Sequence, residues 1–194
     1  MSRVVVCTNL TLDGVMQAPA RTDEDRRGGF TRGGWGAPYA AMTEAGEQFA
    51  NAGALLFGRR TYEDFAAVWP ARPDSPFTPW LTNTPKYVAS TTLREPLPWA
   101  NSILLGGDAR NTIASLRNET GKDLLVLGSG ALVRSLMARQ LVDVFVLLIH
   151  PIVLGAGQRL FGEGVESTLA LRTSRTTSSG VVIATYEPAT AAKS

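Results

Sequence analysis

The apolar positions of this chain fall into short, strand-length runs separated by glycine, proline and charged clusters. The first run, "RVVVCT" (3–8), is β-branched and predicts a buried strand. Residues 10–36 then carry no sustained period. Their middle, "APARTDEDRRGGFTRGG", is charged and glycine-rich, and predicts a lid or binding loop, or else a disordered insertion. From Pro38 to about Asn51 the pattern turns helical: Tyr39, Met42, Ala45, Gly46 and Phe49 recur at three- and four-residue steps on one face. "ALLFG" (54–58) predicts a second strand, and "TYEDFAAVW" a brief helix after it. Pro70, Pro73, Pro76, Pro79 and Pro85 then predict a loop over 70–85.

In the second half, "KYVAS" (86–90) and "SILLG" (102–106) read as strands. Asp108 is a plausible N-cap for a helix that buries Ile113 and Leu116 and stops at Gly121. "DLLVLG" (123–128) is another buried strand, followed by a helical stripe of Leu132, Val133, Leu136 and Met137. "VDVFVLLIHPIVL" (142–154) predicts a long strand. "STLALRTSRTT" and "GVVIATYEP" alternate and are joined at Ser178, Ser179 and Gly180, which predicts a hairpin. The order is β-α-β-α-β-β-α-β-α-β, closing with β-β. Helical crossovers require parallel neighbours, and the hairpin adds antiparallel ones. The expectation is one α/β domain with a mixed sheet over 1–188, and a disordered tail at 189–194.

Composition narrows the class. With 194 residues, 44% of them hydrophobic, the chain can bury one core, and 19% charged residues place it outside the disordered class. The net charge of +2, with arginine pairs only at 26–27 and 59–60, gives no track for a nucleic-acid backbone. Cys7, the only cysteine, lies inside "VVVCTNL" and reads as a buried, inert thiol. A single histidine and a single cysteine exclude a multi-His or Cys-cluster metal site. The first residues read as a strand rather than a signal peptide, and no stretch approaches the roughly 18 apolar residues of a membrane span. A cytoplasmic protein without membrane or nucleic-acid partners is expected.

Two places combine a strand end, glycine and a helix start. At "LFGRRTYEDF" (56–65), Gly58 ends a strand and Arg59, Arg60 and Thr61 open a helix. Either Thr61 is only a cap beside two solvated arginines, or the three groups face an anion at the helix N-terminus. At "VLGSGALVRSL" (126–136), Gly128, Ser129 and Gly130 separate strand from helix. Valine stands at 133, where a dinucleotide fingerprint has its third glycine. Small residues here either make a tight turn or let a pyrophosphate approach the backbone. Two such ends in one small sheet favour a dinucleotide. No G-x-S-x-G elbow or phosphate loop ending in Gly-Lys-Ser/Thr is present. His150, before Pro151, reads as a hydrogen-bonded structural histidine rather than a general acid. Trp35 and Tyr39 flank the first helix and either pack in the core or stack a flat ligand.

These residues carry a resemblance. "GRRTY" after an apolar strand resembles the Gly-Arg-x-Thr-aromatic motif of dihydrofolate reductases. "LGSGALVRSLM" and "LVDVFVLLIHPIVLGAGQRLF" look like the C-terminal reductase domain of bifunctional riboflavin-biosynthesis deaminase-reductases, and "NLTLDGVM" and "GVVIATYEP" fit the same group. The resemblance implies an α/β dihydrofolate-reductase-like fold: a mixed sheet of about eight strands flanked by helices, with an antiparallel C-terminal hairpin. It implies NADPH as hydride donor and a small pterin- or pyrimidine-like heterocycle as substrate. By position, Gly58, Arg59, Arg60 and Thr61 would face the adenosine side and phosphates, and Ser90 and Thr91 the 2′-phosphate. Gly128, Ser129, Gly130, Ala131 and Leu132 would cradle the pyrophosphate and nicotinamide ribose, and Thr8, Asn9, Val15 and Met16 would border the nicotinamide. The 20–33 stretch would be a lid, and related domains dimerise, here by the hairpin edge. Folate reductases place a carboxylate on the first helix; the nearest here, Glu44 and Glu47, lie off the apolar stripe. "DSPFTPW" lacks the arginine with which the riboflavin-pathway reductases hold a ribose phosphate. Asp13 or a water is left as proton source. A non-catalytic nucleotide-binding or regulatory protein on this scaffold, and a flavin- or deazaflavin-dependent reductase, are the alternatives.

Overall fold

A computed structural model of the chain describes residues 2–119 and 121–189. Its strands are β1 (Val4–Thr11), β2 (Ala52–Gly58), β3 (Lys86–Ala89), β4 (Ser102–Leu105), β5 (Asp123–Leu127), β6 (Val144–His150), β7 (Leu169–Thr176) and β8 (Val182–Pro188). The helices are α1 (Ala41–Glu44), α2 (Glu47–Ala50), α3 (Arg59–Val68), α4 (Phe77–Asn83), α5 (Ala109–Glu119) and α6 (Gly130–Met137). The strands form one mixed sheet in the order β4-β3-β2-β5-β1-β6-β8-β7. Contacts divide the chain into two compact units, one built on Asn51–Leu141 and the other on Val5–Ala50 with the strands beyond Val142.

In the first unit β2 pairs in parallel with β3 and with β5, and β3 with β4. The continuous apolar runs of β2 and β5 have this cause: Leu55, Leu56 and Phe57 and Leu124, Leu125 and Val126 are all buried. Helices α3 and α6 pack on β2. Leu132, Val133 and Leu136 are the buried side of α6, and Ile113 and Leu116 that of α5, as the periodicity predicts. Asp108 caps α5, its carboxylate accepting the Arg110 backbone N–H at 3.1 Å.

The expected loop over 70–85 is corrected, because it contains α4. Pro79 sits in the first turn, where its missing N–H leaves no helical bond unmade, so prolines that exclude a helix interior still permit a helix start. Lys86, within an apparently apolar strand, is fully buried. Its ammonium donates to the carbonyls of Thr82, Thr84 and Ala100 at 3.0, 2.8 and 2.9 Å, and lies 4.6 Å from the centre of the Trp99 ring. The aliphatic stem serves the core while the head staples the segments that enter β3 and β4.

In the second unit β1 and β6 are parallel, from Val5 opposite Val144 to Thr11 opposite His150. β8 is antiparallel to β6 and β7 antiparallel to β8, so the hairpin leaves β7 outermost. The strand expected over 142–154 is shorter: it ends at His150, because Pro151 has no N–H to donate, and the Ile152 N–H turns back to the His150 carbonyl at 2.7 Å.

The single helix expected from Pro38 to Asn51 is also corrected. A 3-10 turn at Ala37–Tyr39 meets Ala40 in the left-handed region (φ 47°), and only the one-turn pieces α1 and α2 follow. Periodicity reports which side chains are buried, here Ala45 and Phe49, and is blind to a backbone break between them.

The 17–36 segment is tied down. The Gln17 amide donates to the Asp25 and Arg27 carbonyls at 3.2 and 3.0 Å and accepts the Gln158 N–H at 2.9 Å. Val15, Ala18, Phe30 and Trp35 form a buried cluster against Ile152 and Leu154. Gly157 admits this packing, since a Cβ there would lie 2.6 Å from Val15 Cγ1. Of the expected tail, Ala189 donates its N–H to the Thr168 carbonyl at 2.8 Å, and the remainder lies outside the described residues.

Candidate functional site

In the first unit the two glycine turns meet. Gly58, at the end of β2, occupies the N-cap position of α3, and Ser129 that of α6. Thr61 therefore lies in the first turn of α3 and does not cap it. Neither helix has a side-chain cap. The Ser129 hydroxyl, the natural cap of α6, instead accepts the Gly58 N–H at 2.9 Å. This requires Gly128 and Ser129 in succession in the left-handed region (φ 65° and 57°). A Cβ on Gly128 would lie 3.7 Å from Thr61 Cγ2, which places Thr61 beside the second turn.

Two helix N-termini with open N–H groups thus stand side by side, tied by one hydrogen bond, a local field suited to an anion. Arg59 and Arg60 are exposed at the head of α3. Among the described residues, Arg59 makes only a long contact of 3.7 Å with Glu63, one turn on. Gly130 opens α6, Ala131 is exposed and Leu132 is buried. Ser90, just past β3, accepts the backbone N–H groups of Thr92 and Leu93 at 3.2 and 3.0 Å, folding a turn that leaves Thr91 exposed. The Ser90 hydroxyl also lies 3.4 Å from the Thr92 hydroxyl.

The second unit gathers a different set. Thr8 is buried on β1, its hydroxyl 3.5 Å from the Asn9 carbonyl. Asn9 and Thr11 share one face of β1, and the β1–β6 register places His150 on that face opposite Thr11. Asn9 Oδ1 lies 2.9 Å from His150 Nε2. His150 is fully buried, its Nδ1 has no hydrogen-bond partner among the described residues, and the rings of Trp35 and Tyr39 meet it edge-on, each with centroids 5.1 Å away. Burial pushes its pKa down to about 4, so the imidazole is neutral at pH 7 and Nε2–H donates to Asn9.

Asp13 is held as an acceptor. It receives the Thr11 hydroxyl at 2.6 Å and the Leu154 and Gly155 N–H groups at 3.2 and 2.8 Å, with Arg159 at 3.7 Å. The Thr11 hydroxyl, aided by these backbone donors, lowers its pKa to about 2. An ionised Asp13 has no proton to give at neutral pH, and its role is to bind the 154–155 turn. Val15 is fully buried, and Met16 donates its N–H to the Gln158 carbonyl at 2.8 Å. Trp35 is buried with its indole N–H on the Gln17 carbonyl at 2.7 Å. It and Tyr39, with Thr31, Arg32, Pro38 and Ile152 among others, line an open groove of about 480 Å³. Glu44 pairs with Arg175 at 3.6 Å, and the Glu47 side chain lies outside the described residues. Cys7 is buried, which pushes its thiol up to about 12 and leaves it inert.

A mixed eight-stranded sheet of this order, closing with an antiparallel hairpin, is the dihydrofolate-reductase-like fold. The solved dihydrofolate reductase of Enterococcus faecalis complexed with NADP(H) superposes with a TM-score of 0.63 at 13% identity, over 96% of each chain. Residues 3–183 match the family described as the RibD C-terminal domain, and the chain belongs to that family. A crystal structure from Shewanella sp. PV-4, of a protein assigned provisionally to riboflavin biosynthesis, is similar with a TM-score of 0.68 at 21% identity, over 98% of this chain and 100% of that one. The uncharacterized protein YyaP of Bacillus subtilis (strain 168) is 32% identical over 137 residues, 68% of this chain and 72% of YyaP.

Lys86 and the pairing of Asn9 with His150 escape sequence reasoning. A lysine opening an apolar run looks like a strand boundary. The bond between Asn9 and His150 joins residues 141 apart, and only the β1–β6 register reveals it.

Proposed function

We propose that this chain is an NADPH-dependent reductase of a small, flat pterin- or pyrimidine-like heterocycle. The observation that carries the reading is the hydrogen bond from Gly58 N–H to Ser129 Oγ, which joins two uncapped helix N-termini beside exposed arginines. A cap hydroxyl turned away from its own helix leaves N–H donors for a ligand, and a diphosphate matches two adjacent positive helix ends. Gly58, Arg59, Arg60 and Thr61, with Gly128, Ser129, Gly130, Ala131 and Leu132, would hold the phosphates, and Ser90 and Thr91 the 2′-phosphate. The assignment of Thr8, Asn9, Val15 and Met16 to the nicotinamide rests on the family resemblance. When bound, the reduced nicotinamide supplies a hydride. The protein's own contribution is to bind and orient, with the groove beside Trp35 and Tyr39 offering ring faces to a flat substrate.

Quenching of tryptophan fluorescence on titration with NADPH and NADH tests this reading. Wild type is expected to prefer NADPH. Arg59→Ala should weaken NADPH about five- to tenfold and NADH less, because only NADPH carries the extra dianion and the arginine is solvent-exposed. No binding at millimolar NADPH refutes the reading, and a preference for NADH refutes the 2′-phosphate grip.

A further inference from the structure

Trp35 and Tyr39 line the same groove but are anchored to different parts of the second unit. The Trp35 side is fixed to the loop after β1. Its indole N–H donates to the Gln17 carbonyl at 2.7 Å, and the Gly34 and Gly36 N–H groups donate to the Ala18 and Pro19 carbonyls, both at 2.8 Å. The Tyr39 side is fixed to the β7–β8 hairpin. Among the described residues, the hydrogen bonds that carry residues 38–44 beyond their own turns all end there. The Ser179 hydroxyl donates to the Tyr39 carbonyl at 2.9 Å. Arg175 donates to the Glu44 carbonyl, and its other terminal nitrogen lies 3.6 Å from the Glu44 carboxylate.

The hairpin turn is built to hold that bond in one direction. The Thr177 N–H donates to the Val181 carbonyl at 2.8 Å, and the Val181 N–H returns to the Thr177 hydroxyl at 3.0 Å. With the Ser179 proton committed to Tyr39, the buried Thr177 hydroxyl is the donor across the 3.0 Å that separates it from Ser179. Val181 N–H, Thr177 hydroxyl, Ser179 hydroxyl and Tyr39 carbonyl thus form one chain of donors, and bonds in series polarise one another. Between the two anchored sides lies Ala40 at φ 47°, where a β-carbon is disfavoured. Such a conformation persists only where its surroundings hold it.

We propose that the β7–β8 hairpin turn is a latch that sets the Tyr39 wall of the groove, with Ser179 and Arg175 as its positioning residues and Ala40 as its strained joint. Releasing the latch lets the 37–44 stretch relax at Ala40 and carries Tyr39 away from Trp35. The inference rests on the reading of the groove as a ring-binding site only in its consequence for a ligand. The latch itself is read without one.

The test is hydrogen–deuterium exchange of the full chain, comparing peptides that cover 37–45 with peptides from β6. Ser179→Ala removes one hydrogen bond and should speed exchange over 37–45 about fivefold while leaving β6 unchanged. Arg175→Met should do the same. Ser179→Thr keeps the hydroxyl and should restore wild-type exchange. Asparagine tolerates the left-handed backbone better than alanine, so adding Ala40→Asn to Ser179→Ala should slow the exchange again. Both latch residues are exposed, so the variants should fold, and thermal melts check this. In parallel, quenching of the fluorescence of pterin, used as a flat probe, should show weaker binding in Ser179→Ala and recovery in Ser179→Thr. Unchanged exchange over 37–45 in both single variants, an equal rise in β6, or faster exchange on adding Ala40→Asn overturns the proposal. Wild type that fails to bind pterin overturns the ring-binding reading of the groove and leaves the latch standing on its exchange.

Discussion

Lowering the pH from 7 to 5 isolates one side chain, because His150 is the only histidine in the chain. It is fully buried, and burial moves its pKa from 6.5 down to about 4. Between those values the unfolded chain holds a proton that the folded chain does not. Stability is therefore complete above about pH 6.5 and falls as the pH drops toward 4. The whole window is worth about 3 kcal/mol at roughly 1.4 kcal/mol per pH unit, and the part lost by pH 5 about 2 kcal/mol. Asp13, held at about 2, gives up its contribution only at lower pH, and Lys86, lowered to about 8, titrates on the other side. Urea unfolding at pH 5, 6 and 7 measures the slope. His150→Gln should be less stable at pH 7, having lost its ring contacts with Trp35 and Tyr39, but nearly flat across the interval. Equal wild-type stability at pH 5 and 7, or parallel slopes for both proteins, refutes the reasoning.

Two further predictions probe the turns. Ser129→Ala removes the acceptor of the half-buried Gly58 N–H and should cost about 1 kcal/mol in urea unfolding and several-fold in NADPH affinity. Ser129→Asn, which tolerates the left-handed backbone and carries a side-chain oxygen, should recover part of both; an Ala variant that binds NADPH like wild type would show that the tie is no part of the grip. Gly157→Ala places a Cβ 2.6 Å from Val15 Cγ1 and 2.9 Å from Phe30 Cε2 at φ 123°, and should cost about 2–4 kcal/mol. A melting temperature within a degree or two of wild type would contradict that packing.

Several strands are legible in this sequence because a glycine or proline marks the end of the buried run. Gly58 closes β2, and Pro151 closes β6 against a longer apolar pattern. Composition and spacing mislead where position within an element decides. Five prolines suggest a loop, yet α4 places Pro79 where a helix needs no N–H. A regular stripe from Tyr39 to Phe49 suggests one helix, yet Ala40 in the left-handed region divides it. Apolar spacing registers the face a segment buries, and short pieces broken at the right place bury the same face as a continuous helix.

The two glycine turns are legible because each is local: a strand, a glycine at its end and a helix start. Their mutual tie is not, since it needs β2 and β5 as neighbours, a property of the crossovers. Asp13 shows the opposite hazard. A carboxylate beside a glycine near the first strand reads as a proton source, but the acidity of a group is set by who already donates to it. With Thr11, Leu154 and Gly155 all donating, the lone pairs of Asp13 are engaged and its proton is gone.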